Sequence, residues 1–287
     1  MRPGLTSVLE LLKPVTWFPP MWAFGCGVVA SGQPTAGRLG EILLGVLIAG
    51  PLVCGTSQAV NDWFDRHVDA INEPTRPIPS GRLPGRRGLH VACLWTVLSL
   101  LVAPGIGVWG FGATAVALAL AWAYSAPPFR LKRNGWIGNA ACGLCYEGLA
   151  WVTGASVMAG GGMPPSQSIL LAGLYSLGAH GIMTLNDFKS IAGDKRFGIN
   201  SLPVLLGPGR AADVACLFMA GAQLGVVAAL WYWQHAASAA AVAALLLVQG
   251  VLMKSFRADP IQRAVWYSGL GVTLYVAGML VSAFALR

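Results

Sequence analysis

Long apolar runs separated by short polar loops dominate the chain. A helix needs about 20 mostly apolar residues to cross the hydrocarbon core of a bilayer. Runs of that kind fall at approximately 15–31, 41–60, 89–106, 108–124, 138–158, 167–186, 211–232, 238–254 and 264–285. The pattern predicts an all-α integral membrane protein with about nine transmembrane helices. Pro104-Gly105-Ile106-Gly107 is the break that separates the third run from the fourth. The first run contains Pro19 and Pro20 and is followed by many more, so it reads as a retained helix rather than a cleaved signal peptide. No polar linker or low-complexity stretch interrupts the series, and the expectation is a single transmembrane domain over residues 1–287.

Composition agrees with this reading: 55% of residues are hydrophobic and 10% charged, where a soluble domain carries about 25% charged residues. Mean hydropathy is +0.63. A net charge of +8 would suit a nucleic-acid binder, but its distribution suits membrane orientation. With the N-terminus inside, every Lys and Arg from Arg2 and Lys13 to Arg263 lies on the inner side, except Arg38; Arg287 is outside. That bias predicts a cytoplasmic N-terminus, and adding or dropping one span would scramble it. A transporter would spread charged groups along a path across the bilayer. Here the acids other than Glu41 and Glu147 all fall on the inner side. Cys142 and Cys145 form a CxxC, readable as redox or metal chemistry or as small residues on a buried helix. No second ligand pair lies near them, and no disulfide is expected.

The inner loops carry the candidate chemistry. Asn61-Asp62-Trp63-Phe64-Asp65-Arg66-His67-Val68-Asp69 follows directly from the second run. Asp62, Asp65 and Asp69 are spaced i, i+3 and i+7, so a continuing helix stacks all three on one face. Three poorly hydrated carboxylates repel one another unless a cation neutralises them. Mg²⁺ prefers carboxylate oxygen and shares its coordination shell with substrate phosphates. A second cluster, Asn186-Asp187 through Asp194, leaves the sixth run on the same side, again with acids at i and i+7. Two such stripes at matching depths would hold metal between them and bridge one diphosphate; the alternative is solvated loop acids paired with neighbouring Lys and Arg. Arg130 and Lys132 follow Pro127 and Pro128, which end the fourth helix. They read either as phosphate contacts or as orientation signals at the lipid headgroups. The proline-stiffened loop Arg76 to Arg82 is a candidate lid.

Together these residues closely resemble the UbiA family of intramembrane prenyltransferases, whose pattern is NDxxDxxxD after the second helix and a second Asp motif after the sixth. NDWFDRHVDAINEPTRPIPSG at 61–81, YSAPPFRLKRNGWIGN at 124–139, NDFKS at 186–190 and SLPVLLG at 201–207 narrow the match to the chlorophyll and bacteriochlorophyll synthase branch. Cys145-Tyr146-Glu147-Gly148-Leu149 resembles its bacteriochlorophyll members more than the plant or cyanobacterial ones. Relatives in this branch usually have Glu-Gly-Asp where this chain has Ala192-Gly193-Asp194.

The resemblance implies a UbiA-type helical bundle with cytoplasmic cap loops in a bacterial inner membrane. It implies Mg²⁺-dependent transfer of a geranylgeranyl or phytyl group from its diphosphate to the propionate of bacteriochlorophyllide. Quinone or haem O synthesis is the nearest alternative, and other pigment-making proteins are candidate partners. The metal ligands implied are Asp62, Asp65, Asp69, Asp187 and Asp194. Diphosphate contacts implied are Asn61, Arg66, Tyr124, Ser125, Arg130, Lys132, Asn186 and Lys189. Glu147, an acid well inside a span, reads either as a functional group contacting the macrocycle or as a helix-packing group. His180 reads either as a ligand to the pigment's Mg or as a satisfied core histidine.

Overall fold

The computed structural model describes residues 4–287, so the inner-side Arg2 lies outside the described residues. Among the described residues the chain is helical throughout, with one isolated parallel bridge between Asn134 and Asn200 and no strand. The break expected at 104–107 is a 3₁₀ turn, Ala103–Ile106, ahead of Gly107 at φ +83°. Among the described residues, six helical runs are long and apolar enough to cross a membrane by length and composition. One of them, Arg87–Ser125, contains the third and fourth expected spans. The first expected span is realised as the shorter apolar helix Phe18–Ala30.

The chain divides into two compact units. The first comprises the chain up to Val28, Pro34–Leu131 and Leu149–Met163. Helix α1 (Leu5–Leu12) is amphipathic: Leu11 and Leu12 are buried while Leu5 and Leu9 are exposed. Helix α2 (Phe18–Ala30) follows. Helix α3 (Leu39–Leu47) runs through a π turn, Ile48–Cys54, into α4 (Gly55–Asn72). Pro51 sits in that turn. It has no N–H to continue the α ladder, and a π turn is one way a helix accommodates such a gap. The Pro51 carbonyl accepts from the Trp95 indole at 3.2 Å. The run Leu39–Asn72 has 34 residues, about 50 Å at 1.5 Å per residue. That exceeds a hydrocarbon core of about 30 Å, so its polar end, from Asn61 onward, projects beyond the apolar stretch.

Helices α5 (Arg87–Val102) and α6 (Gly107–Ser125) complete the pairing with α4, and α8 (Ala150–Met158) packs on α3 and α6. Among the described residues, one core gathers Phe24, Ile48, Leu52, Ile106 and Met158, and another Leu11, Leu12, Val60, Leu83 and Ala92. Helix α2 crosses α8 at backbone contact, because a Cβ on Gly27 would strike the Trp151 carbonyl and one on Gly154 the Phe24 carbonyl. Small residues allow this approach where no hydrophobic force drives helices together in lipid.

The second unit comprises Val29–Gln33, Lys132–Gly148 and Pro164–Arg287. Helix α7 (Gly135–Gly143) is capped by the Asn134 side chain, which accepts from the Trp136 and Ile137 amides at 3.0 and 3.2 Å. Such a cap contributes about 1 kcal/mol. A π turn, Leu144–Leu149, joins α7 to α8. Helix α9 (Ser166–Asp187) packs on α7, and the short helices α10 (Ile191–Phe197) and α11 (Leu202–Leu206) lead into α12 (Pro208–Tyr232), α13 (Ala236–Ala258) and α14 (Pro260–Ala285). Buried polar groups cross-link these helices. Tyr275 donates to the Tyr175 carbonyl at 2.8 Å, Tyr175 bonds Ser282 at 2.7 Å, and Gln249 bonds Gln223 and donates to Tyr267 at 3.1 Å. Partnering of this kind removes most of the cost of burying them.

Candidate active site

The first acidic motif forms as its spacing requires. Asp62, Asp65 and Asp69 all lie on α4, and Asp62 and Asp65 are close enough to Asp69 to act on its charge. Asp62 and Asp69 are buried. Asn61 donates to Asp65 Oδ2 at 3.1 Å and to Ser125 Oγ at 3.3 Å, which ties the motif to the end of α6. Two cations complete it: Arg76, from the candidate lid, and Lys13, which the sequence did not single out. Lys13 Nζ lies 2.6 Å from Asp62 Oδ1. Arg76 Nη1 lies 2.9 Å from Asp69 Oδ2 and 3.4 Å from Asp62 Oδ1.

Both cations arrive through local backbone geometry. Lys13 ends α1 in the left-handed region at φ 47°, a conformation rare outside glycine, and this turns the chain at the edge of α4. Arg76 sits on the loop 73–86. That loop is folded by the Leu83 amide donating to the Pro77 carbonyl at 2.8 Å and by burial of Leu83. Arg82 grips Glu10 of α1 with both guanidinium nitrogens, one of them at 2.8 Å. This bond holds the Glu10 carboxyl below its ordinary pKa. The candidate lid and α1 are therefore clipped together beside the acids.

Among the described residues no group of three or more His, Cys, Asp or Glu side chains forms a ready-made metal site. The donors nevertheless fit a hard divalent cation: they are carboxylates on one face, and one oxygen, Asp62 Oδ2, is buried with no partner.

The second motif departs from the expected helical stacking. Helix α9 ends at Asp187, residues 188–190 turn, and Asp194 lies on α10. The turn is closed by Ser190 Oγ donating to the Asp187 carbonyl at 3.1 Å. The two acids still come together, near enough for the Asp194 charge to act on Asp187. Asp187 accepts from Asn139 at 3.0 Å, while Asp194 Oδ2 accepts from Ser190 at 2.9 Å and Ser201 at 2.6 Å. A backbone bond pair sets this up: Gly135 N–H donates to the Asn200 carbonyl, and Asn200 N–H to the Arg133 carbonyl, each at 2.9 Å. Ala192 is exposed whereas Asp194 is buried, so the acid usual at position 192 would stand on the solvent side of α10.

The remaining candidates divide. Ser125 is buried beside Asn61. Arg66 is spent on its own helix, donating to the Trp63 carbonyl at 2.7 Å with its guanidinium 4.2 Å from the Trp63 ring centre. Arg130 has φ 42° and a buried Nε with no partner. Tyr124 is half-buried. Asn186 and Lys189 are exposed. Glu147 is buried in the π turn with Oε2 unpartnered. His180 is buried against Trp136 and Phe218.

Residues 17–285 match the model of the UbiA prenyltransferase family. The chain belongs to that family. This UbiA chain is thus a multi-pass membrane enzyme that transfers prenyl groups. It is 54% identical over 285 residues to the bacteriochlorophyll synthase 33 kDa chain of Cereibacter sphaeroides, covering 99% of this chain and 94% of that one. It is 52% identical over 287 residues to the same-named protein of Rhodobacter capsulatus, with the same coverages. In fold it is similar to a UbiA homolog from Archaeoglobus fulgidus bound to GPP and Mg²⁺, with a TM-score of 0.68 and 22% identity over 98% of this chain and 96% of that one.

Proposed function

We propose that this UbiA enzyme esterifies the propionate of bacteriochlorophyllide a with a geranylgeranyl or phytyl group from its diphosphate, at the last stage of bacteriochlorophyll synthesis. The supporting observation is its 54% identity to a bacteriochlorophyll synthase along 99% of the chain. Asp62, Asp65 and Asp69 serve as ligands of Mg²⁺, with Asp187 and Asp194 as a second set. When bound, Mg²⁺ offsets the charge that grows on the departing diphosphate.

The chain's own residues do the rest. Lys13 and Arg76 neutralise the α4 carboxylates when no metal is bound and turn to diphosphate oxygens when one is. Arg suits that second task because its fork donates to two oxygens at once. Asn61 and Ser125 hold Asp65 in register, and Arg130 and Lys132 add positive charge. The allylic C–O bond breaks, its electron pair leaves with diphosphate, and a propionate oxygen bonds to the freed carbon. That propionate is ionised near pH 7, its pKa being about 4, so no side chain has to remove a proton.

Both compact units act as one domain, in keeping with a family match that runs through them. Nine spans with a cytoplasmic N-terminus in a bacterial inner membrane fit the distribution of Lys and Arg. The test uses membranes from an expressing host, supplied with geranylgeranyl diphosphate, Mg²⁺ and either bacteriochlorophyllide or 4-hydroxybenzoate. Chromatography should find the bacteriochlorophyllide ester. Prenylated 4-hydroxybenzoate with no pigment ester would overturn the assignment in favour of quinone synthesis.

A further inference from the structure

Loop 73–86 carries Arg76 to the α4 carboxylates, and its grip on the rest of the unit is uneven. Pro77 and Leu83 are buried, whereas Thr75 and Ser80 are exposed. Leu83 packs in the same core as Leu11 and Leu12 of α1. The Arg76 guanidinium also has a rival partner on the open side. Its Nη1 lies 2.9 Å from the buried Asp69 Oδ2, but its Nη2 lies 3.9 Å from Oε1 of Glu73, a side chain that is 55% exposed. An arginine has many rotamers to choose among, so which acid it meets depends on where its backbone is held.

Arg82 supplies that hold. It reaches back across the loop, and its Nη2 donates to the Thr75 carbonyl, in the peptide group directly before Arg76. Its Nε donates to Ser80 Oγ at 3.1 Å. The same guanidinium meets both carboxylate oxygens of Glu10. Glu10 belongs to α1, which is itself fastened: Leu11 and Leu12 are buried, and the Leu12 carbonyl accepts from the Trp17 indole at 2.8 Å. A guanidinium is planar with its donors at fixed angles, so a carboxylate that takes two of them sets the plane and aims the others. A continuous strut therefore runs from α1 through Glu10 and Arg82 to the backbone of Arg76.

The Arg82 and Glu10 side chains are 41% and 45% exposed, and an ion pair that open to solvent adds little to overall stability. Its effect is local. Without it the Thr75 carbonyl is released, and Arg76 is drawn toward Glu73 and water. Helix α1 also lies ahead of residues 17–285, the stretch that matches the family model, so this support comes from outside the matched segment.

We propose that Glu10 and Arg82 are positioning residues for prenyl transfer: they fix the peptide before Arg76 and so aim its guanidinium at the diphosphate site beside Asp62 and Asp69. The inference rests on the diphosphate-binding role proposed above for Arg76.

The test is binding of an unreactive thiolo analogue of geranylgeranyl diphosphate, with Mg²⁺, by the full chain in lipid nanodiscs, read by calorimetric titration. Arg76→Gln should weaken binding about tenfold, the loss of a hydrogen bond to a charged group. Glu10→Gln and Arg82→Gln should each weaken it about threefold to fivefold, near the most that an exposed pair transmits. In the Arg76→Gln background neither should weaken it further, because the group they aim is gone. Exchanging the charges, Glu10→Arg with Arg82→Glu, rebuilds the ion pair but leaves residue 82 no donor for the Thr75 carbonyl. The exchange should return the Tm to that of wild type and leave the affinity weakened. Hydrogen exchange of the Arg76 and Ser80 amides, each bonded within the loop, should quicken in Glu10→Gln without metal or substrate. Wild-type affinity or wild-type exchange in Glu10→Gln, or an undiminished loss in the Arg76→Gln background, overturns the inference. So does a charge exchange that restores affinity. Each of these results, with Arg76→Gln itself weakened, leaves the role of Arg76 standing. Wild-type binding by Arg76→Gln overturns both.

Discussion

Replacing Arg76 by Gln separates the two tasks assigned to it. The substitution removes the guanidinium between Asp62, whose side chain is 2% exposed, and Asp69, at 8%. Breaking a fully buried pair from one side costs about 3–5 kcal/mol. Lys13 remains on Asp62, and Arg76 is itself 30% exposed, so the cost here should be lower, about 1–3 kcal/mol. Thermal unfolding of the detergent-solubilised protein reads this as a lowered Tm. Added Mg²⁺ should then raise the Tm of Arg76→Gln more than that of wild type, because the metal no longer displaces a guanidinium from the carboxylates. With metal present, the variant should also need more prenyl diphosphate for half-maximal rate. A variant that unfolds like wild type, or whose Tm ignores Mg²⁺, would refute the idea that Arg76 holds the place of a metal.

Three further outcomes follow from the same geometry. Asp65→Asn should abolish turnover while the protein still inserts and extracts normally, measured by prenyl transfer beside detergent-extracted yield; near-normal turnover removes Asp65 from the ligand set. Gly154→Val should prevent a stable fold, since even its Cβ would lie on the Phe24 carbonyl, and overpacking alone costs about 1–3 kcal/mol; gel filtration of the extracted protein checks this. Glu10→Gln should lower stability slightly at neutral pH and converge with wild type in acid. The Glu10 carboxyl has its pKa lowered by Arg82, so its contribution is present above the unfolded value of about 4.5 and fades as pH falls through the folded one. The pair is surface-exposed, so the effect should be small and should vanish in high salt.

The first acidic motif was legible because helix periodicity is local information. Once α4 is known to continue past the apolar run, Asp62, Asp65 and Asp69 must share a face. The second motif shared the same i, i+7 spacing, yet α9 stops at Asp187 and the acids meet across a turn instead. Ser190 and Ser201, which hold Asp194, reach it through folding of the segment that follows, and spacing does not encode that. The contacts of Lys13 and of Arg76, visible only as part of a candidate lid, were hidden for the same reason. Many cations share the inner loops, and only the left-handed turn at Lys13 and the folded 73–86 loop decide which two reach the carboxylates. His180 was visible as a lone histidine in a span. Its packing against Trp136 and Phe218, far away in sequence, was not.

The central claim is that a propionate oxygen attacks the prenyl carbon as diphosphate leaves. Bacteriochlorophyllide labelled with ¹⁸O in both propionate oxygens tests it directly. Purified protein with geranylgeranyl diphosphate and Mg²⁺ should give an ester that retains both labels in its mass spectrum, and chelation of Mg²⁺ should stop its formation. Loss of one label would mean that the carboxylate was activated and its own C–O bond broken, and that result would contradict the account.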